Sequence, residues 1–161
     1  MLHIFTDSSV DPILKKGIGC YLLFDGSLND EIDIQIQNER LNYLKLVDTS
    51  STRAEMETFK YIMSELQTNG TLSKNKKITI YTDCQRIVNL FEEKSYPSDH
   101  THAELYKELL SFIEKFNLNI VKIKGHSKNK TQVEDIMFSL VDKNSRNVLR
   151  AYRDDEAWWN S

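Results

Sequence analysis

The chain has 161 residues, of which 40% are hydrophobic; this fills one core and is too short for two ordinary domains. Its formal net charge of −3 excludes a protein that grips nucleic acid by a strong basic excess alone, so any such role needs a local patch or a metal site. No apolar run is long enough to cross a bilayer, no signal peptide precedes the first strand-like run, and Cys20 and Cys84 both lie inside apolar runs. These features predict a cytoplasmic protein with reduced thiols.

Taken in chain order, Leu2 to Ser9 starts as a strand and runs into a carboxylate, Asp7. Gly17 to Phe24 is a second strand, reached through a loop with Pro12, Lys15 and Lys16 and closed by the turn signal Asp25-Gly26. Glu31 to Gln37 alternates apolar and polar residues and predicts a third, half-buried strand, with Leu41 to Val47 as a connection. At Thr49 to Thr52 the pattern becomes helical, with hydroxyls fit for an N-cap followed by Phe59, Ile62, Met63 and Leu66. Glu55 falls on that apolar stripe, where a carboxylate is costly without a partner, whereas Glu57 faces elsewhere and is expected to be solvated.

Lys77 to Asp83 is another β-branched and aromatic run, and like the first strand it closes with aromatic-Thr-Asp. A short helix over Cys84 to Glu93 follows, then a break at Pro97 and Asp99, and a helix carrying Leu105, Leu109, Phe112 and Ile113. Asn119 to Lys124 reads as the fifth strand, closed by Gly125-His126-Ser127, with a polar loop over Lys128 to Gln132 and a final helix from Val133 to Arg150. His100 and His102 are expected on the surface. The division is residues 1–150 as one domain and residues 151–161 as a tail. Its Trp158 and Trp159 either fold back onto the domain, the reading preferred here, or anchor a protein partner.

Three meandering strands followed by alternating helices and strands make an α/β protein with a mixed five-stranded sheet flanked by helices. Right-handed crossovers set the first, fourth and fifth strands side by side and parallel. Asp7, Asp83 and the Gly125-His126 turn then share one sheet edge, with Glu55 reaching in from the first long helix. Either Asp alone is read equally well as a helix or turn cap; the convergence favours a site.

In this order, Phe5-Thr6-Asp7-Ser8-Ser9, Gly17-Ile18-Gly19, Thr52-Arg53-Ala54-Glu55-Met56, Tyr81-Thr82-Asp83-Cys84-Gln85, Val121 to His126 and Val141-Asp142-Lys143 span nearly the whole chain. Together they resemble the type 1 ribonuclease H family of the RNase H-like superfamily. The resemblance implies an RNase H-like fold and a four-carboxylate site of Asp7, Glu55, Asp83 and Asp142, with His126 as a mobile catalytic histidine. Asp135 competes with Asp142 for the last place, but its position at the start of the final helix gives it a dipole-related reason to exist.

The implied activity is metal-dependent endonucleolytic cleavage of the RNA strand of an RNA–DNA hybrid, leaving 5′-phosphate and 3′-hydroxyl ends, by a monomer. Ser8, Ser51, Thr52, Cys84 and Gln85 stand where the family contacts the hybrid. Clustered carboxylates need cations, and hard oxygen donors suit two Mg²⁺ ions, with Mn²⁺ as substitute, rather than zinc. The link from Glu93 to Thr101 is too short for the basic handle of many bacterial members, which implies weaker substrate binding or reliance on a partner. A reading from another class is a non-catalytic hybrid-binding or scaffold module.

Overall fold

A computed structural model describes residues 1–124 and 132–161 of the chain. The expected turn at Gly125-His126 and most of the loop after it lie outside the described residues. Strand β1 (Leu2–Asp11) pairs antiparallel with β2 (Lys16–Asp25), in register from Leu2 opposite Asp25 to Asp11 opposite Lys16. Strand β3 (Asn42–Leu46) adds antiparallel to the outer side of β2. On the other side of β1, β4 (Ile78–Thr82) and then β5 (Leu118–Lys122) lie parallel, giving the order β3-β2-β1-β4-β5. The mixed five-stranded sheet and its parallel trio are therefore as expected.

The third strand is not where alternation placed it. Glu31 to Gln37 is a turn leading into a short helix, α1 (Ile34–Glu39), and the stretch read as a connection supplies β3. Asp33 explains the change: its side chain accepts hydrogen bonds from the backbone N–H of Gln35 and Ile36 at 3.0 and 3.3 Å, and such an N-cap stabilises a helix start. Strand β3 is an edge strand whose outward residues are claimed by the tail. Tyr43 stacks on Trp158, and Lys45 Nζ donates to Trp158 O at 2.6 Å.

Period-two alternation along the sheet divides the core. Leu2, Ile4, Ile78, Ile80, Leu118 and Ile120 point to the face covered by α2 (Ser51–Thr68), α3 (Gln85–Glu93) and α4 (Ala103–Lys115). Phe5, Cys20, Leu22 and Tyr81 point to the opposite face, where α5 (Val133–Tyr152) packs through Met137, Phe138 and Val141. Helix α2 sits close on the sheet because Gly19 has no side chain: a Cβ there would enter Thr58 Oγ1 and come within 2.7 Å of Leu44 Cδ2. That close seat carries Glu55 to the sheet. Beyond α5, a single turn, α6 (Glu156–Trp159), buries Trp159, whose Nε1 donates to Tyr152 O at 2.8 Å.

Candidate active site

Strand β1 runs four residues past Asp7, so this carboxylate lies within the strand and not at its end. The reason is the hairpin with β2, which continues to Asp11, whereas parallel pairing with β4 stops at Phe5 opposite Tyr81. The same register carried two residues further sets Asp7 opposite Asp83, the first residue beyond β4. A mid-strand Asp7 has no helix to cap. Nor is Asp83 the N-cap of α3; Cys84 holds that position, and its own N–H is taken by Thr82 Oγ1 at 3.1 Å.

Because side chains alternate, Asp7 shares the α5 face with Phe5, while Ser8 turns toward α2. There Glu55 is met from two sides: Ser8 N and Ser8 Oγ donate to its Oε1 at 3.1 and 2.7 Å. Its other oxygen, Oε2, is buried and accepts no hydrogen bond among the described residues. One oxygen from each of Asp7, Glu55 and Asp83 lies within 4.8 Å of the others. From the α5 side, Asp142 lies outside this trio but interacts with the carboxyl of Asp7 and is itself held by Arg146 Nη2 at 3.1 Å. Asp135 lies in the first turn of α5.

The electrostatics of this cluster follow from its burial. Asp7 is only 4% exposed, and its carboxyl is pushed well above the usual carboxylate range, first by desolvation and then by the charges of Glu55 and Asp83. Glu55 is pushed up by desolvation as well, with the two Ser8 donors opposing the shift. The neighbouring thiols are poor competitors for a cation, since burial drives Cys84 up to about 11 and Cys20 up to about 12. What converges is a set of hard oxygen donors with one buried carboxylate oxygen lacking a partner among the described residues, a composition that fits Mg²⁺ or Mn²⁺ and not a soft metal.

Of the residues expected to meet substrate, Ser8 is committed to orienting Glu55. Ser51 is exposed at the first turn of α2, Thr52 is half-buried beside it, and the capping oxygen belongs to Ser50, which accepts from Arg53 N at 3.3 Å. Cys84 is half-buried; Gln85 is exposed, accepts a hydrogen bond from Lys122 Nζ and donates to Asn89 Oδ1 at 2.7 Å. His126 lies outside the described residues. One expectation about the surroundings changes: Glu57 is paired with Arg53 Nε at 2.6 Å and is not simply solvated. His100 and His102 lie partly exposed at the start of α4, against Arg86 and Arg53. Ser9 and Ser145, whose hydroxyls meet at 2.9 Å and tie α5 to β1 beside the acids, carried no sequence signal. Arg146 did carry one, as an Asp–Arg pair at i and i+4 on a helix.

The fold and the convergent acids define an α/β protein with a carboxylate centre at the central strand of its sheet. No family model matches the chain. Among curated proteins, it is 27% identical over 122 residues to a ribonuclease H from Caldicellulosiruptor saccharolyticus, an alignment covering 68% of this chain and 77% of that protein. This similarity supports an RNase H-like relationship, and the sheet architecture is consistent with an RNase H-like fold.

Proposed function

We propose that this protein is a metal-dependent endonuclease that hydrolyses the RNA strand of RNA–DNA hybrids, leaving 5′-phosphate and 3′-hydroxyl ends. The observation that carries the reading is the convergence of Asp7, Glu55 and Asp83 oxygens within 4.8 Å. The ribonuclease H name of the curated relative and the placement of Asp142 against Asp7 support it.

Asp7, Glu55, Asp83 and Asp142 would hold two divalent cations, Mg²⁺ or Mn²⁺. Once bound, such ions supply Lewis-acid activation of water and stabilisation of the leaving oxygen. The protein's own part is to fix the donors before substrate arrives. Ser8 locks one Glu55 oxygen and leaves the other directed inward, and Arg146 keeps Asp142 turned toward Asp7. His126 moves a proton or assists product release. Ser51, Thr52, Cys84 and Gln85, at the N-terminal ends of α2 and α3, contact backbone and sugar, where the 2′-hydroxyl distinguishes RNA from DNA. A cytoplasmic monomer suits the reduced thiols.

The test is one incubation series with labelled hybrid, double-stranded RNA and single-stranded RNA, each with and without Mg²⁺. Cleavage of the hybrid's RNA strand in Mg²⁺ alone is the expected result. Binding of hybrid without cleavage in either Mg²⁺ or Mn²⁺ would instead identify a scaffold module.

A further inference from the structure

A cavity of about 370 Å³ lies between the end of β1 and the C-terminal half of α5, bordered by Ser9, Asp11, Leu149 and three arginines, Arg146, Arg150 and Arg153. The arginines stand at i, i+4 and i+7, so helical geometry stacks them on one face. Arg150 and Arg153 at the helix end have an ordinary explanation, because cations there offset the negative end of the dipole. Arg146 lies more than a turn inside and has no such reason. Its Nη2 is paired with Asp142, and its Nε is buried with no hydrogen-bond partner among the described residues.

The acids at the cavity only partly balance these charges. Asp11 accepts from Ile13 N and Leu14 N through Oδ1 at 2.9 and 3.0 Å and meets Arg153 Nε through Oδ2 at 3.8 Å, a loose pair. Asp142 is turned toward Asp7, and Arg150 has no carboxylate partner among the described residues. Three guanidiniums against two acids leave positive charge in excess at this cavity, and with a buried Arg146 donor in want of an acceptor they describe a receptor for an oxyanion; planar guanidinium forks match phosphate oxygens well.

We propose that this arginine-lined cavity is a phosphodiester subsite, holding a non-scissile backbone phosphate of the nucleic acid whose cut phosphate lies at the Asp7 cluster. This rests on the function proposed above and deepens it, since it gives an acidic chain without a basic handle a place to hold substrate. The continuity is structural: Arg146 touches Asp142, Asp142 touches Asp7, and Ser9 at the cavity mouth bonds Ser145 on the same helix.

The experiment measures hybrid binding by fluorescence anisotropy across a salt series, in Mg²⁺, using full-length Asp7→Asn protein so that substrate survives. Adding Arg150→Gln and Arg153→Gln together is expected to weaken binding about 10-fold near 0.1 M salt and to flatten the log Kd against log salt slope by about one to two. The double Lys variant keeps the charge and should recover most of the salt slope, which separates electrostatics from any loss of folding. Hybrids with neutral methylphosphonate linkages in the DNA or the RNA strand then assign the contacted strand, because the loss disappears when that strand's charges are already gone. Unchanged affinity and slope in the Gln variant would overturn the subsite, as would failure of the Asp7→Asn parent to bind hybrid. Loss of metal-dependent cleavage in the wild type, with binding and its arginine dependence intact, would overturn only the catalytic reading.

Discussion

Replacing Asp7 by Asn should destroy hydrolysis and, without metal, make the protein more stable. Asp7 is nearly fully buried and faces two further carboxylates. Two unit charges 4.8 Å apart repel by about 3.5 kcal/mol at an effective dielectric of about 20. The folded protein avoids this by keeping Asp7 protonated, and holding a proton at pH 7 on a group that would ionise near 3.9 when unfolded costs about 4 kcal/mol. These are two views of one penalty and do not add. Asn is isosteric and uncharged, so the variant escapes most of it; a gain of about 2–4 kcal/mol corresponds to a melting temperature higher by roughly 5–12 °C. The sign depends on pH. A carboxyl whose pKa is raised by folding contributes its stability below the unfolded pKa and loses it as pH rises toward the folded value, so the gap between variant and wild type should be wide at pH 7 and nearly closed at pH 4. Saturating Mg²⁺ should narrow it at pH 7, since ligand at about 100 times its Kd stabilises the wild type by about 2.7 kcal/mol. Calorimetry in EDTA at both pH values, then in Mg²⁺, reads all of this. Equal metal-free melting temperatures at pH 7, or a gap undiminished at pH 4, would refute the repulsion argument.

Three other outcomes are expected. Asp142→Asn should raise the Mg²⁺ concentration needed for half-maximal activity by 10-fold or more, on the order of the losses seen when metal-site carboxylates or their supports are removed, while Asp135→Asn should leave it nearly unchanged; the opposite ranking would move the fourth acid to Asp135. His126→Ala should slow turnover by about 10²-fold, the scale of general acid–base assistance, and leave hybrid affinity within about twofold; an equal fall in binding would make His126 a contact residue. Gly19→Ala should cost about 1–3 kcal/mol by overpacking α2 against the sheet, read as a lower melting temperature together with weaker Mg²⁺ binding because Glu55 rides on that helix. An unchanged melting temperature would show that α2 is not seated so closely.

The parallel trio and the acids were legible because each carries a long-range constraint in local form. Aromatic-Thr-Asp at the ends of two β-branched runs encodes both the strand and its register, since Phe5 opposite Tyr81 brings Asp7 opposite Asp83. Glu55 was legible because a carboxylate on an apolar stripe has to be explained. Residues 31–37 were misleading for the opposite reason: alternation is a statement about one face, and Asp33 offered the backbone a local cap that alternation does not weigh. The true third strand, Asn42–Leu46, is met by Trp158 from the far end of the chain, against Tyr43 and Lys45, a contact with no signature in its own sequence. Hydroxyl pairs such as Ser9 with Ser145 are likewise invisible until the helix is laid on the sheet.

The placement of Asp7 within β1 rather than at its end also explains why the acids come from both faces of the sheet. At a strand end the chain turns away and its neighbours are free to reorient; inside a strand the alternation is fixed, so Asp7 and Ser8 necessarily point to opposite layers. Ser8 therefore recruits Glu55 from the α2 layer, and Asp7 itself recruits Asp142 from the α5 layer. The two acids that come from helices, Glu55 and Asp142, thus meet two adjacent strand residues whose divergence the hydrogen-bonded hairpin enforces. Loosening either helix releases one acid without disturbing the strand, so the integrity of the site depends on both cores, the one gathered around Phe59 and Ile62 and the one around Met137 and Val141. Gly19, the cross-strand partner of Ser8, acts through the first of these by seating α2 on the sheet.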